Sequence, residues 1–88
     1  MESSFEGHKP EILYPCIWSY TVIGVDEAVL RDAVGSVLGA IPHSLKPGNV
    51  SKGGKYRSLA LEARVEDELE RLRIFDLLSK HPAVRFVL

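Results

Sequence analysis

The stretch SKGGKYRS, residues 51–58, crowds two glycines, three basic residues and one aromatic into eight positions. Three chemistries use such residues: cradling a phosphate, stacking a nucleotide base, or turning the chain between two strands. A phosphate cradle of the G-x-x-x-x-G-K-S/T type needs a strand before it and a helix after it. Gly48 and Gly53 have the right separation, but Gly54 stands where the lysine belongs. Shifting the frame to Gly54 and Lys55 puts Asn49 at the first glycine and Tyr56 at the hydroxyl position, and a strand pattern follows. The phosphate reading fails on both counts.

Base stacking comes closer. RNA-recognition domains carry an aromatic motif on their third strand. Ser51, Lys52 and Gly53 can begin such a motif, but its two stacking positions then fall on Gly54 and Tyr56, so one aromatic is missing. Lys52, Lys55 and Arg57 add local positive charge, yet Trp18 and Tyr20 would have to face outward to complete a platform. The simplest reading is a hairpin connection, with Gly53 and Gly54 supplying the positive φ angles of a tight turn. Catalytic patterns are missing as well. His8, His43 and His81 fall in a tail, a loop and a helix end, with no metal-ligand spacing to Cys16. His81 suits the negative end of a helix dipole. Cys16 suits a small apolar position, and Glu66, Asp67 and Glu68 suit a solvated helix start. Neither an enzyme, a metal site nor a cofactor is expected.

These residues sit on a chain of 88 residues, the size of one domain. Such a domain buries only about 60% of its unfolded surface. The single cysteine rules out a disulfide within the chain, so packing or self-association must stabilise it. The formal net charge of −1 lacks the basic excess of a phosphate-driven nucleic-acid binder. No apolar run reaches the roughly 18 residues of a membrane span, and residues 1–10 do not read as a signal peptide. A cytoplasmic protein with no membrane contact is expected.

Along the chain, residues 1–14 read as a flexible tail and residues 15–88 as one domain. Residues 16–24, CIWSYTVIG, read as a strand with Trp18, Tyr20 and Val22 inward. Asp26 is a good N-cap for an amphipathic helix of about 14 residues. In that helix Val29, Leu30, Ala33, Val34, Val37, Leu38 and Ile41 recur at helical spacing, and Pro42 stops it. Residues 43–50 form a weak strand whose Pro47 demands a sheet edge. In residues 56–65, Leu59, Leu61, Ala63 and Val65 alternate with Tyr56, Ser58, Ala60, Glu62 and Arg64, which gives a half-buried strand. The second helix spans residues 66–80, with Leu72, Phe75 and Leu78 as its core stripe, Leu69 and Ile74 at the borders, and Leu77 astray. The last strand, residues 83–88, puts Val84, Phe86 and Leu88 on one face, with Phe86 inward. The order βαββαβ with right-handed crossovers closes as an α+β ferredoxin-like sandwich: a four-stranded antiparallel sheet, both helices on one face, strands one and three central.

Three blocks resemble the YbeD-like family of small bacterial proteins: Tyr14-Pro15 with Trp18, Tyr20, Val22, Ile23 and Gly24; Ser51-x-x-Gly54-x-Tyr56-x-Ser58; and His81-Pro82-x-Val84-Arg85-x-Val87-Leu88. The resemblance covers about residues 14–88. Glu68 and Arg71 depart from it, standing where apolar residues are expected. It implies an ACT-like fold and a regulatory role, with a proposed link to lipoate metabolism; no catalytic residues come with it.

The sequence therefore predicts a non-catalytic regulatory or interaction module that binds a small effector or a protein partner. The alternative is single-stranded nucleic acid on the open sheet face. Candidate binding residues are Gly24, Asp26, Ser51, Lys52, Gly54, Lys55, Tyr56, Arg57 and Ser58. A homodimer is expected from the small core and the stray Leu77.

Overall fold

A computed structural model describes residues 12–50 and 52–88. Its elements are β1 (Cys16–Gly24), α1 (Glu27–Leu38), β2 (His43–Val50), a short 3-10 turn (Lys52–Gly54), β3 (Arg57–Val65), α2 (Glu68–Lys80) and β4 (Phe86–Val87). The strands form one antiparallel sheet in the order β2-β3-β1-β4, so β1 and β3 are central. Tyr20, Val22, Leu59, Leu61, Ala63 and Val65 on the strands share one core with Leu30, Ala33, Val34 and Leu38 of α1 and Ile74 and Leu78 of α2. Both helices therefore cover the same face, and the fold is the ferredoxin-like α+β sandwich. Of the expected tail, residues 1–11 lie outside the described residues, and Tyr14 packs against the core.

Each helix begins on an aspartate whose carboxylate accepts a first-turn amide, which otherwise has no partner. Asp26 accepts from Val29 N at 3.1 Å and Asp67 from Glu70 N at 2.8 Å. Helix α1 ends at Leu38, before the expected stop at Pro42. Gly39 takes φ 57° there, and its N–H donates to Gly35 O at 2.9 Å. That left-handed position favours glycine and closes the helix.

Helix α2 starts later than expected, and its core line differs. Ile74 and Leu78 are fully buried, whereas Leu72 is 47% and Phe75 43% exposed. Arg71 is the reason. Positions 71, 74 and 78 fall on one helical face, and Arg71 faces the sheet with its guanidinium carbon 4.4 Å from the Trp18 ring centroid. Docking Arg71 on Trp18 rotates Leu72 and Phe75 to the flank.

Phe86 is also a correction: it is 55% exposed and faces away from the helices. A turn closes from Val84 N to His81 O at 3.0 Å, so alternation does not carry from the buried Val84 to Phe86. Register on β1 then decides. Val87 pairs with the inward Val22, and Phe86 pairs with Ile23 on the open side.

Candidate functional site

The β1–β3 register places Gly24 opposite Arg57. The turn at 24–26 and the turn at 52–58 thus meet at one end of the sheet. The segment before β4 joins them, with Arg85 N donating to Ile23 O at 2.7 Å.

Several candidate residues have structural tasks at this end. A Cβ on Gly24 would stand 2.7 Å from both Ala83 O and Leu30 Cδ2, so this glycine lets the C-terminal segment and α1 close on β1. Asp26 caps α1. Gly53 and Gly54 take φ 83° and 72°, the left-handed conformations that turn β2 into β3. Ser58 Oγ donates to Asn49 O at 2.9 Å across the β2 irregularity between Pro47 and Val50. A side chain on Gly48 would collide with the same Ser58 hydroxyl. Ser51, and the side chain of Lys52, lie outside the described residues.

The remaining candidates are on the surface. Lys55 Nζ lies 5.3 Å from the Tyr56 ring centroid, and Arg57 is exposed. Tyr56 meets Phe86 edge to face, centroids 6.1 Å apart at 70°. The sequence reading placed Phe86 in the core, and so not at this site, by extending an alternation that the turn at 81–84 interrupts. Beside this pair the open face carries two apolar side chains: Ile23, half-buried, and Leu88, hydrogen-bonded to Thr21 and 75% exposed. Toward the other end, Ile17, Pro42, His43, Ser44 and Glu62 line a shallow hollow of about 240 Å³.

A second cluster lies on the helix-covered side at that other end. Tyr20 Oη donates to the Arg71 carbonyl at 2.9 Å, Arg71 Nε donates to Tyr14 Oη at 2.8 Å, and Glu68 lies 3.8 Å from the guanidinium. Burial pushes the Tyr20 phenol up to about 12, against the opposing pull of the Arg71 charge. The family departure at Glu68 and Arg71 was the only sequence signal for this cluster.

Two histidines among the described residues have local structural tasks. His43 Nδ1 lies 2.7 Å from Ile41 O, and His81 Nδ1 accepts from Ala83 N at 3.0 Å, so both rings close local turns. The described residues contain no group of three His, Cys, Asp or Glu side chains able to hold a metal ion. No helix among them is long and apolar enough to cross a membrane.

Comparison with known proteins agrees with the fold. Residues 9–88 match the family described as "Protein of unknown function (DUF493)". An uncharacterised Helicobacter pylori protein is 35% identical over 82 residues, covering 91% of this chain and 93% of its own. A UPF0250 protein of Hahella chejuensis is 30% identical, covering 90% and 91%. The solution structure of HP0495 from H. pylori superposes with a TM-score of 0.80 at 30% identity, covering 100% of this chain and 97% of that one. The ACT domain from the GTP pyrophosphokinase of Chlorobium tepidum gives 0.58 at 14% identity, over 82% and 94%, which establishes likeness of fold. On the family match and these relatives, the chain belongs to the DUF493 family, the YbeD-like proteins that its first strand, hairpin turn and C-terminal segment resemble.

Proposed function

We propose that this protein is a non-catalytic interaction module that binds a protein partner on the open face of its sheet. One observation carries the reading: Phe86 and Tyr56 meet edge to face on the side that no helix among the described residues covers, beside Ile23 and Leu88. An exposed apolar patch with aromatic centres and a polar rim is the usual composition of a protein-binding surface. The ACT-like fold supports a regulatory role for the module, with a small effector as a second ligand at the same end of the sheet. The lipoate link implied by the family resemblance belongs to that effector arm.

The test places a photo-crosslinking amino acid at Phe86, and in a separate variant at Leu69 on the helix side. Crosslinks to a discrete partner from position 86, weakened by Tyr56→Ser and lacking from position 69, support the reading. A thermal-shift screen of metabolites, lipoic acid among them, covers the effector arm. No partner at position 86 and no shifting metabolite would together overturn it.

Phe86 also favours a second reading. It gives Tyr56 an aromatic neighbour, with Lys55 and Arg57 close by, which is the composition of a single-strand stacking surface. Trp18 and Tyr20 face the helices and add nothing to it. Anisotropy of labelled oligonucleotides at low salt decides: no change removes this reading.

A further inference from the structure

The outer edge of β1 is only partly used. Thr21 exchanges both backbone hydrogen bonds with Leu88, at 2.9 Å each, and Ile23 O accepts from Arg85 N. In a strand, alternate residues aim their N–H and C=O groups to the same side. Ile17 and Ser19 therefore aim theirs at this same outer edge, on the side away from β3. Strand β4 reaches only Val22 and Ile23, with Leu88 bonded to Thr21. Among the described residues, nothing pairs with the outward backbone groups of Ile17 and Ser19.

This edge lacks the protection found on the other. Edge strands are normally blunted by charge, proline or a bulge. Strand β2 has all three: Lys46, Pro47 and a register shift between Pro47 and Val50. Strand β1, CIWSYTVIG, has no charged residue and no proline.

The helix above the edge shows the same asymmetry. Both helices contact β1 and β3, and α2 also contacts β4 at this edge. The 100° step per residue puts Leu72 and Phe75 on one flank of α2 and Leu77 on the other. Right-handed crossovers turn the Leu72 and Phe75 flank outward, above the open part of β1. Arg71 stacked on Trp18 fixes that level of the helix over the same stretch.

We infer that this edge is a self-association surface, and that its occupant is β1 of a second copy, running antiparallel about a two-fold axis near Trp18. Three features select a second copy over another strand. The free stretch has two in-phase residues, bounded by Pro15, which has no N–H, and by Thr21, which Leu88 already uses. Placing Ile17 opposite Ser19 of the second copy satisfies the outward groups of both chains within those limits. An uncharged strand meets itself without repulsion. The half-exposed Leu72 and Phe75 then face their own counterparts, which adds apolar burial to a small core. The open face with Tyr56 and Phe86 stays uncovered, so this inference does not depend on the proposed function.

Sedimentation velocity on the full chain, from about 1 to about 500 µM, tests it. The expected result is a monomer–dimer equilibrium that Ser19→Pro and Leu72→Glu each weaken by at least about tenfold, with unchanged circular dichroism. Leu72→Glu changes only an exposed side chain, so it keeps the test valid if Ser19→Pro fails to fold. Nuclear Overhauser effects between labelled and unlabelled copies should connect position 17 to position 19. A monomer at every concentration overturns the inference. So does a dimer indifferent to Leu72→Glu, or one with intermolecular contacts elsewhere. Slowly exchanging Ile17 and Ser19 amides in a monomer would overturn it too, by showing that other residues of the same chain cover the edge.

Discussion

Replacing Tyr20 by Phe should change the response of stability to alkali as well as its size. Tyr20 is 3% exposed, and its hydroxyl donates to the Arg71 carbonyl. Losing a buried hydrogen bond of this kind costs about 1 kcal/mol at neutral pH. The pH dependence follows from the phenol, which burial raises from 10.0 to about 12. Because the folded value lies above the unfolded one, the folded protein holds this proton longer. Its stabilisation is complete below pH 10 and is lost as pH rises through 12. At 1.36 kcal/mol per pKa unit, the wild type loses roughly 1.4 kcal/mol from this group by pH 11, and roughly 2.7 kcal/mol once both states are ionised. The Phe variant has no such loss, so the two stability curves should meet near pH 11 (other titrating groups are common to both). Urea denaturation followed by circular dichroism at pH 7, 9, 10, 11 and 11.5 measures the difference directly. A difference that stays constant to pH 11.5 would refute the linkage between burial of this phenol and stability.

Other substitutions have expected signs and sizes. Arg71→Ala removes the stacking on Trp18 and the bond to Tyr14; a loss of about 1–2 kcal/mol is expected, with a shift in the emission of the chain's single tryptophan. Gly24→Ala should cost about 1–3 kcal/mol by thermal melt, because the new methyl meets Ala83 O and Leu30. Gly35→Ala should stabilise by about 0.5–1 kcal/mol, since a Cβ there meets nothing within 4 Å and the site is inside α1. Leu78→Ala should cost about 2–5 kcal/mol in chemical denaturation, whereas Phe86→Ser, at a 55% exposed position, should cost less than about 1 kcal/mol.

The fold was legible where periodicity was long. Residues 16–24 and 57–65 alternate over full strands, and their facing is as expected because a one-residue slip would turn every apolar side chain out. Pro47 marked its strand as an edge for the same local reason that it cannot donate to a ladder. Two features were not legible. In α2, Leu69, Leu72, Phe75, Leu77 and Leu78 spread around the helix, so several stripes are equally good on paper. The choice is made by Arg71, which is drawn to the face of Trp18, a residue distant in sequence. At the C-terminus, the turn at 81–84 resets the alternation before Phe86, and only pairing with Ile23 shows which way that ring points. Gly24, Gly54 and Asp26 were visible as candidates, but their tasks are conformational and capping. Tyr56 was the one candidate whose neighbour, Phe86, gives the surface its character.

Both helices cover one face of the sheet, and the other face, bare among the described residues, bears the Tyr56–Phe86 pair. A carbon-edited nuclear Overhauser spectrum of the labelled protein tests that most directly. It should connect the Phe86 ring to the Tyr56 ring and to Ile23, with no cross-peak from Phe86 to the Ile74 or Leu78 methyl groups. Strong contacts from Phe86 to Ile74 and Leu78 would place the ring under the helices and remove the proposed binding face.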